Sequence, residues 1–210
     1  MTWRAAGLIA AAGTSARMGA CKALLPFSGA TSFVERIAHV FLSAGLDPVV
    51  VTVPPGDDGA RIEQALAHLP VLCALNEIPE DGLSGSVVTA LRHAAEPDAL
   101  VLTPVDCPFL DVELVRSLVQ LSARAAAVAP EVDGQRGHPV AFSRATYELL
   151  LTCASRGGPR AVLDALGKDV ALMPWLERHV LEDVDTPEDY LRLFGVDVAS
   201  AREVMTRRRG

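Results

Sequence analysis

Two glycines, an arginine and a lysine follow the first apolar run of the chain at close spacing. In the stretch LIAAAGTSARMGACKALLP (8–26), the run ends at Gly13 and Ser15, and Arg17 and Lys22 come next. Small residues allow backbone N–H groups to approach an anion, and the two cations add positive charge. From these residues alone, a polyphosphate cradle and an ordinary strand-to-helix turn with solvated charges are equally good interpretations.

Two common phosphate-binding motifs do not fit this stretch. Gly13 and Gly19 are one residue too far apart for a Walker A loop, and Lys22 does not directly follow the second glycine. A dinucleotide-binding fingerprint also fails, because Ser15 occupies the position of its second glycine. Any phosphate site here must therefore be of another kind.

Two aspartates could supply a metal site, because carboxylate oxygens are ligands that Mg²⁺ prefers. Asp106 ends an apolar run in LTPVDCPFL (102–110), and Asp185 lies in LEDVDTPEDYLRLF (181–194). Both also have a purely structural interpretation. Asp106 could be a surface carboxylate at a strand end, and Asp185 could belong to a helix entry with Pro187 as the first helical residue.

Further segments carry polar residues between predicted elements. The loop NEIPEDGLSGSV (76–87) caps a predicted helix that starts at Ser84, and its small residues also suit a base pocket. The segment GQRGHPVAFS (134–143) contains His138, and a lone histidine is more often structural than catalytic. Arg160 lies in SRGGPRAVL (155–163). Each of these segments is a weak indication by itself.

Taken together, the spacing A-A-G-x-S-x-R-M-G-x-x-K followed by L-L-P resembles the signature of the MobA-like nucleotidyltransferases. The segments around Asn76, Asp106, His138 and Asp185 also resemble family motifs, in order along residues 8 to 194. Within the family the chain is most similar to the molybdenum cofactor cytidylyltransferases (MocA). The resemblance implies transfer of CMP from CTP to the terminal phosphate of Mo-molybdopterin. Pyrophosphate would leave, and molybdopterin cytosine dinucleotide would form.

The resemblance also implies roles for individual residues. It assigns catalysis to Arg17, Lys22 and Asp106, and it makes Asp106 and Asp185 ligands of Mg²⁺. Contact with the acceptor falls to His138 and Arg160. The nucleotide would bind to a larger set, namely Ala11, Ala12, Gly13, Ser15, Arg17, Lys22, Asn76, Gly82, Ser84 and Ser86.

Some positions discriminate among members of the family or depart from its pattern. Guanine-using relatives have glycine where Ala12 stands, so the extra methyl group favours a pyrimidine nucleotide. Gly85 replaces a serine in the loop at 76–87, while Ser155 and Arg156 replace a glycine and an acidic residue on the presumed acceptor side. Because of the change at Arg156, a different phosphorylated acceptor, such as a sugar phosphate, stays an alternative to Mo-molybdopterin.

Two functions of other classes are also compared with this one. A noncatalytic carrier could deliver the molybdenum cofactor to a molybdenum hydroxylase client protein. Such a carrier needs no catalytic metal, and the presence of Lys22 with both aspartates argues against it. The chain is also not expected to be an NAD-binding dehydrogenase, because it lacks the glycine fingerprint of that class.

The elements that must position these residues alternate between strand and helix. Buried runs predict strands at 7–12, 48–53, 71–75, 99–105 and 125–132, and amphipathic runs predict helices at 31–45, 58–69, 84–95 and 111–124. This pattern predicts an α/β domain with a mainly parallel central sheet covered on both faces, and the resemblance implies a three-layer Rossmann-like fold. Ligands of such sheets bind beyond the carboxyl ends of the strands, which places the site after 7–12, 71–75 and 99–105.

Length and composition narrow the classes further. A chain of 210 residues suits one domain, predicted at 1–195, followed by a basic C-terminal tail at 196–210 that we expect to fray. The formal net charge of −7 disfavours nonspecific binding to nucleic acid or anionic membranes. Four scattered cysteines predict reduced thiols and a cytoplasmic location. The apolar N-terminal run is interpreted as a buried strand rather than a signal peptide.

Overall fold

The computed structural model describes residues 3–13, 15–77, 82–94, 96–153 and 157–209. The strands in chain order are β1 (Ala5–Ala10), β2 (Pro26–Ser28), β3 (Thr31–Ser32), β4 (Val49–Val53), β5 (Leu72–Leu75), β6 (Ala99–Pro104), β7 (Ala127–Val132), β8 (Gln135–Arg136), β9 (Val140–Ser143) and β10 (Val170–Pro174). The helices are α1 (Phe33–Ala44), α2 (Asp57–Leu66), α3 (Gly82–His93), α4 (Val112–Ser122), α5 (Tyr147–Thr152), α6 (Gly158–Leu166), α7 (Pro187–Phe194) and α8 (Val198–Arg209).

The main sheet has the strand order β10-β7-β9-β6-β1-β4-β5, with β8 paired to β7. Strand β9 runs antiparallel to both of its neighbours, whereas β10, β7, β6, β1, β4 and β5 all point the same way. Strands β2 and β3 form a separate antiparallel pair. The predicted mainly parallel sheet is therefore confirmed, with β9 and the two-residue β8 reversed.

Alternate residues of β1 face the two helical layers, as expected for a strand buried on both faces. Ala5 and Ile9 join the core formed with α1, α2 and α4. Ala6 and Leu8 join the core formed with α3, α5 and α6. Gly7 allows α1 to pack closely, because a Cβ there would lie 2.5 Å from the Phe41 ring. The protein thus has the predicted three layers.

The chain leaves β1 in one direction and later returns to its other side. It continues from β1 to β4 and β5, then crosses back through α3 to β6, which pairs with β1 on the opposite edge from β4. Such a reversal of strand order opens a crevice at the carboxyl ends of the strands. The segments after β1 and β6 meet there, since the Val105 N–H donates to the Ala10 carbonyl at 3.1 Å.

Helix boundaries follow their capping residues. Ser32 and Glu35 form a capping box at the start of α1, and Gly45 ends that helix with a φ of 89°. Thr186 caps α7, with Pro187 as the first helical residue, as predicted. Helix α3 begins at Gly82 and not at Ser84, so the predicted start was two residues late.

The C-terminal segment differs from the frayed tail that the sequence predicts. Residues 198–209 form α8, and the Asp197 carboxylate accepts a hydrogen bond from the Ser200 N–H at 2.9 Å. Val198 packs against the main core, and Ala201 is buried. The expectation of fraying gave weight to the arginines and neglected this cap and these apolar contacts. Within the described residues, no helix is long and apolar enough to cross a membrane.

Candidate active site

Four charged side chains from three distant segments meet beyond the ends of β1 and β6. The Lys22 ammonium donates to Asp106 Oδ2 at 2.9 Å and to Asp185 Oδ1 at 2.5 Å. The Arg17 guanidinium pairs with the other oxygen of Asp185 at 2.8 Å. These contacts bring together the predicted phosphate-binding residues and the two predicted metal ligands.

Hydrogen bonds of the backbone hold the segments that carry these side chains in place. Ser15 has a φ of 51°, and its hydroxyl accepts a hydrogen bond from the Lys22 N–H at 3.1 Å. Lys22 itself begins a short 3-10 turn over Lys22–Leu24. On the opposite side, the Val184 N–H donates to the Asp106 carbonyl at 2.9 Å. The segment that carries Asp185 is thereby held against the end of β6.

The electrostatics of the cluster favour its charged forms. Burial alone would lower the pKa of Lys22, but the hydrogen bonds that its ammonium donates to Asp185 and Asp106 outweigh burial and raise it. Lys22 is therefore a cation at neutral pH. Asp183 lies on the rim of the cluster, where desolvation and then the charges of Asp185 and Asp106 raise its pKa.

A cavity of about 210 Å³ opens beside the cluster, between the ends of β1 and β6 and the start of α3. We call it the nucleotide-side cavity, and its lining is Ala10, Ala12, Gly13, Ser15, Lys22, Gly82, Leu83, Ser86, Pro104, Val105 and Asp106. Seven predicted site residues therefore lie together on its wall. Its apolar floor and small residues suit a flat ring with a polar tail.

Four predicted nucleotide-binding residues lie outside this lining: Arg17, which belongs to the charged cluster, and three buried residues. Ala11 is buried after β1, and Asn76 is buried after β5, where its N–H donates to the Val53 carbonyl at 2.9 Å. Ser84 is buried on α3, where Gly158 lies so close that a Cβ on it would be 2.2 Å from the Ser84 hydroxyl. The structure gives these three residues supporting positions around the cavity.

One polar contact of the nucleotide-side cavity was not predicted from the sequence. The Thr52 hydroxyl donates to the Ser86 hydroxyl at 2.9 Å, and both side chains are buried. Thr52 lies near the end of β4, and its side chain faces α3. The expectation that polar residues cluster at strand ends could have found it.

A second cavity of about 510 Å³ adjoins the first, and we call it the acceptor-side cavity. It is lined by Leu83, Leu102, Gln135, Arg136, Gly137, His138, Val140, Phe142, Pro159, Arg160 and Leu163. Both predicted acceptor contacts, His138 and Arg160, lie on this wall. Leu83 lines both cavities and so stands at their junction.

Two close backbone approaches position the predicted acceptor contacts. A Cβ on Gly137 would lie 2.5 Å from the Val180 carbonyl, which accepts the His138 N–H at 2.8 Å. Burial lowers the pKa of His138, against the charge of Asp106, so its ring is neutral at pH 7. Its Nδ1 atom is buried without a hydrogen-bond partner among the described residues. A neutral ring with a free nitrogen suits a hydrogen bond to a polar ligand.

The sequence did not point to Arg136, which is one of the cations on the wall of the acceptor-side cavity. Arg136 lies on β8 and pairs with Asp164 of α6 at 2.9 Å. Its place two residues before His138, in an exposed hairpin, was the available signal. Ser155 and Arg156, the departures from the family pattern, lie outside the described residues.

The donor set of the charged cluster was compared with the needs of a divalent cation. Asp106 and Asp185 offer carboxylate oxygens that already converge on one cationic group. Hard cations such as Mg²⁺ and Mn²⁺ take such ligands, commonly with phosphate and water oxygens completing the shell. Among the described residues, no group of three or more His, Cys, Asp or Glu side chains is arranged as a metal site. The pair therefore fits a cation that a phosphorylated ligand also holds.

Known proteins resemble this chain at the level of sequence. The profile of the MobA-like NTP transferase domain matches residues 7–170. The chain is also 31% identical over 191 residues to a protein described as probable molybdenum cofactor guanylyltransferase from Mycobacterium avium (strain 104). That match covers 88% of this chain and 92% of the relative.

Solved structures support the fold. Rv0371c from Mycobacterium tuberculosis H37Rv has a TM-score of 0.78 at 24% identity, covering 93% of this chain and all of its own. A second structure of Rv0371c, in complex with manganese, has a TM-score of 0.74 at 24% identity over 91% of this chain and 98% of its own. The 2-C-methyl-D-erythritol 4-phosphate cytidylyltransferase from Thermus thermophilus has a TM-score of 0.67 at 18% identity, over 99% and 100% of the chains. The predicted α/β nucleotidyltransferase fold is confirmed.

Proposed function

The chain belongs to the family of MobA-like NTP transferase domains, and on this premise we propose that it transfers CMP from CTP to the terminal phosphate of Mo-molybdopterin. Family membership makes the protein a nucleotidyltransferase. The observation that carries the proposal is the junction of the two cavities beside the cluster of Arg17, Lys22, Asp106 and Asp185. A nucleotide and a second substrate can meet there.

The chemistry asks for charge neutralisation and positioning rather than for a general base. An oxygen of the acceptor phosphate attacks the α-phosphorus, the bond to the β-phosphate oxygen breaks, and pyrophosphate leaves. The attacking phosphate is already ionised, so no proton needs to be removed. Lys22 and Arg17 bind the phosphate oxygens on which negative charge develops. Asp106 and Asp185 would hold Mg²⁺, which when bound neutralises triphosphate oxygens.

The choice of metal and the choice of base are separate parts of the proposal. The manganese complex of Rv0371c supports a divalent cation, and Mg²⁺ is our expectation for this chain. The Mycobacterium avium relative is named a guanylyltransferase. Ala12 lines the nucleotide-side cavity, and the family resemblance implies that guanine-using relatives usually have glycine at this position. The methyl group narrows the cavity and favours cytosine. CTP is therefore our proposed donor, and GTP is the alternative.

The acceptor is proposed from the second cavity. Arg136 and Arg160 place positive charge on its wall, and His138 offers a free ring nitrogen. Its volume of about 510 Å³ leaves room for a phosphorylated ring system. The same chemistry would accept a sugar phosphate. A noncatalytic carrier for a molybdenum hydroxylase is not favoured, because it has no use for the charged cluster.

The experiment supplies each donor with each acceptor. Purified protein with Mg²⁺ receives CTP, GTP or ATP together with Mo-molybdopterin or a panel of sugar phosphates, and both pyrophosphate and the dinucleotide product are measured. We expect cytosine dinucleotide from CTP and Mo-molybdopterin. A dinucleotide formed faster from GTP would overturn the base assignment, and product only from a sugar phosphate would overturn the acceptor assignment. Cofactor binding without pyrophosphate release from any donor would favour the carrier.

A further inference from the structure

The ammonium of Lys22 occupies the two carboxylates that are proposed to hold a divalent cation. Its Nζ atom contacts Asp106 Oδ2 at 2.9 Å and Asp185 Oδ1 at 2.5 Å, and the lysine side chain is 9% exposed. The carboxylate side chains are 24% and 21% exposed, so solvent ions reach them more easily than they reach the ammonium. A metal ion that binds both aspartates must therefore compete with Lys22 for the same oxygens.

The charges of the cluster balance without a metal. Lys22 and Arg17 carry two positive charges, and Asp106 and Asp185 carry two negative ones. A divalent cation that entered alone would leave the largely buried ammonium without a counter-charge, which is costly. A triphosphate that enters with the cation brings oxygens to which Lys22 and Arg17 can turn. Entry of both together keeps every charge paired.

The backbone allows this exchange without a change of fold. The Val184 N–H holds the Asp106 carbonyl at 2.9 Å, so the two aspartates stay close whether or not Lys22 bridges them. Ser15 holds the Lys22 N–H at 3.1 Å and thereby fixes the base of the lysine side chain. Lys22 lines the nucleotide-side cavity, so rotation of its side chain suffices to reach a ligand there.

We propose that Lys22 exchanges partners: it occupies Asp106 and Asp185 in the nucleotide-free protein and moves to the triphosphate when nucleotide and divalent cation enter together. Lys22 thus keeps free metal ions off the aspartates until a nucleotide is present. This inference rests on the proposed function, from which it takes the metal and phosphate roles. It adds an order of binding to that function.

The test measures Mn²⁺ binding to nucleotide-free protein, using the electron paramagnetic resonance signal of free Mn²⁺. Lys22→Met keeps the length of the side chain and removes its charge. We expect it to raise the affinity for Mn²⁺ by about 10-fold or more, the scale of coupling between close charges. Lys22→Arg keeps the charge and should show no gain. Adding Asp106→Asn to Lys22→Met should abolish the gain.

Arg17→Met is the matched control, because it removes the same charge from the same cluster. Arg17 is 70% exposed, and among the described residues it pairs with Asp185 but not with Asp106, so its removal should raise the Mn²⁺ affinity only about 2-fold. Equal gains from Arg17→Met and Lys22→Met would mean that lost charge, not vacated carboxylates, raises the affinity. That result, or no gain from Lys22→Met, would overturn the inference. Lys168→Met, at an exposed turn, should leave Mn²⁺ binding unchanged.

A second test uses wild-type protein and so does not depend on the folding of any variant. Crystals soaked with Mn²⁺ alone should show no anomalous peak at Asp106 and Asp185, and crystals soaked with Mn²⁺ and CTP should show one. A peak without nucleotide, with Lys22 still on both aspartates, would overturn the exchange. Failure of the proposed function looks different: wild-type protein would transfer no nucleotide, while Lys22→Met still gained Mn²⁺ affinity that depends on Asp106.

Discussion

The two adjoining cavities are built in different ways. The nucleotide-side cavity is small, about 210 Å³, and is lined by strand ends, small residues and the compact charged cluster. The acceptor-side cavity is about 510 Å³, and its cations Arg136 and Arg160 are exposed. We therefore expect the nucleotide-side cavity to bind its ligand through fixed groups, whereas the acceptor-side cavity leaves room for ligands of different shape. This contrast predicts that changes in the nucleotide-side cavity strongly lower turnover, whereas changes in the acceptor-side cavity weaken binding of the acceptor.

The largest effect should come from the proposed metal ligands. Asp106→Asn and Asp185→Asn keep size and remove the charge that makes each side chain a strong hard-cation ligand. Each change should lower turnover by about 10³-fold, the upper range for losing one charge-stabilising group of a preorganised site. Steady-state pyrophosphate release measures the loss, and thermal unfolding without nucleotide should hardly change.

The double variant tests whether the two aspartates act as one unit. If both serve one metal, Asp106→Asn combined with Asp185→Asn should be little worse than either single change, because parts of one unit are not additive. Magnesium-dependent turnover that survives Asp185→Asn would remove Asp185 from the site. Multiplied losses in the double variant would assign the two aspartates to separate roles.

Lys22→Ala should have the next largest effect. Loss of the ammonium removes positive charge from the departing pyrophosphate and should lower turnover by about 10²-fold. Lys168→Ala changes an exposed lysine that lines neither cavity, and it should leave the rate unchanged. Equal rates for the two variants would exclude Lys22 from phosphate binding.

Substitutions in the acceptor-side cavity should weaken binding of the acceptor and not of CTP. His138→Ala and Arg160→Ala should each raise KM for the acceptor by about 10-fold, the worth of one hydrogen bond to a charged group, and leave KM for CTP unchanged. Arg124→Ala, an exposed arginine after α4, is the control. A parallel rise in KM for CTP would show that the two cavities are not separate substrate sites.

The base preference should depend on a still smaller feature. The Ala12 methyl group should favour CTP over GTP in kcat/KM by about 10-fold, the usual discrimination of one small apolar group. Ala12→Gly should narrow that ratio without reversing it, since the other contacts to the base stay in place. A wild-type preference for GTP would contradict the proposal and agree with the name of the Mycobacterium avium relative.

Local sequence patterns named seven of the residues that line the nucleotide-side cavity. The run from Gly13 to Lys22 is continuous in sequence, and its meaning depends on spacing that can be read directly. The bridge from Lys22 to Asp106 and Asp185 was less accessible, because it joins residues 84 and 163 positions apart. The motifs named all three residues, but only the fold shows that one ammonium holds both carboxylates.

The acceptor side and the edges of the fold were predicted less completely. The short run HPVAFS (138–143) predicts a strand where β9 lies, but a run of this length does not reveal that the strand is antiparallel between β6 and β7. Arg136 belongs to no motif and reaches the cavity through a two-residue strand. These features depend on tertiary contacts that override local propensity.

The smallest predicted effect separates a structural aspartate from the catalytic ones. Asp111 lies five positions after Asp106, and its carboxylate caps α4 by accepting a hydrogen bond from the Leu114 N–H at 2.8 Å. Asp111→Ala should cost about 1 kcal/mol in the free energy of unfolding, as loss of a helix cap usually does, and should leave turnover unchanged. Chemical denaturation and pyrophosphate release measure the two quantities on the same preparation. Asp106→Asn should show the reverse pattern, with lost turnover and unchanged stability. A loss of turnover in Asp111→Ala would mean that the loop after β6 acts as one catalytic unit, and would contradict the separate roles given to Asp106 and Asp111.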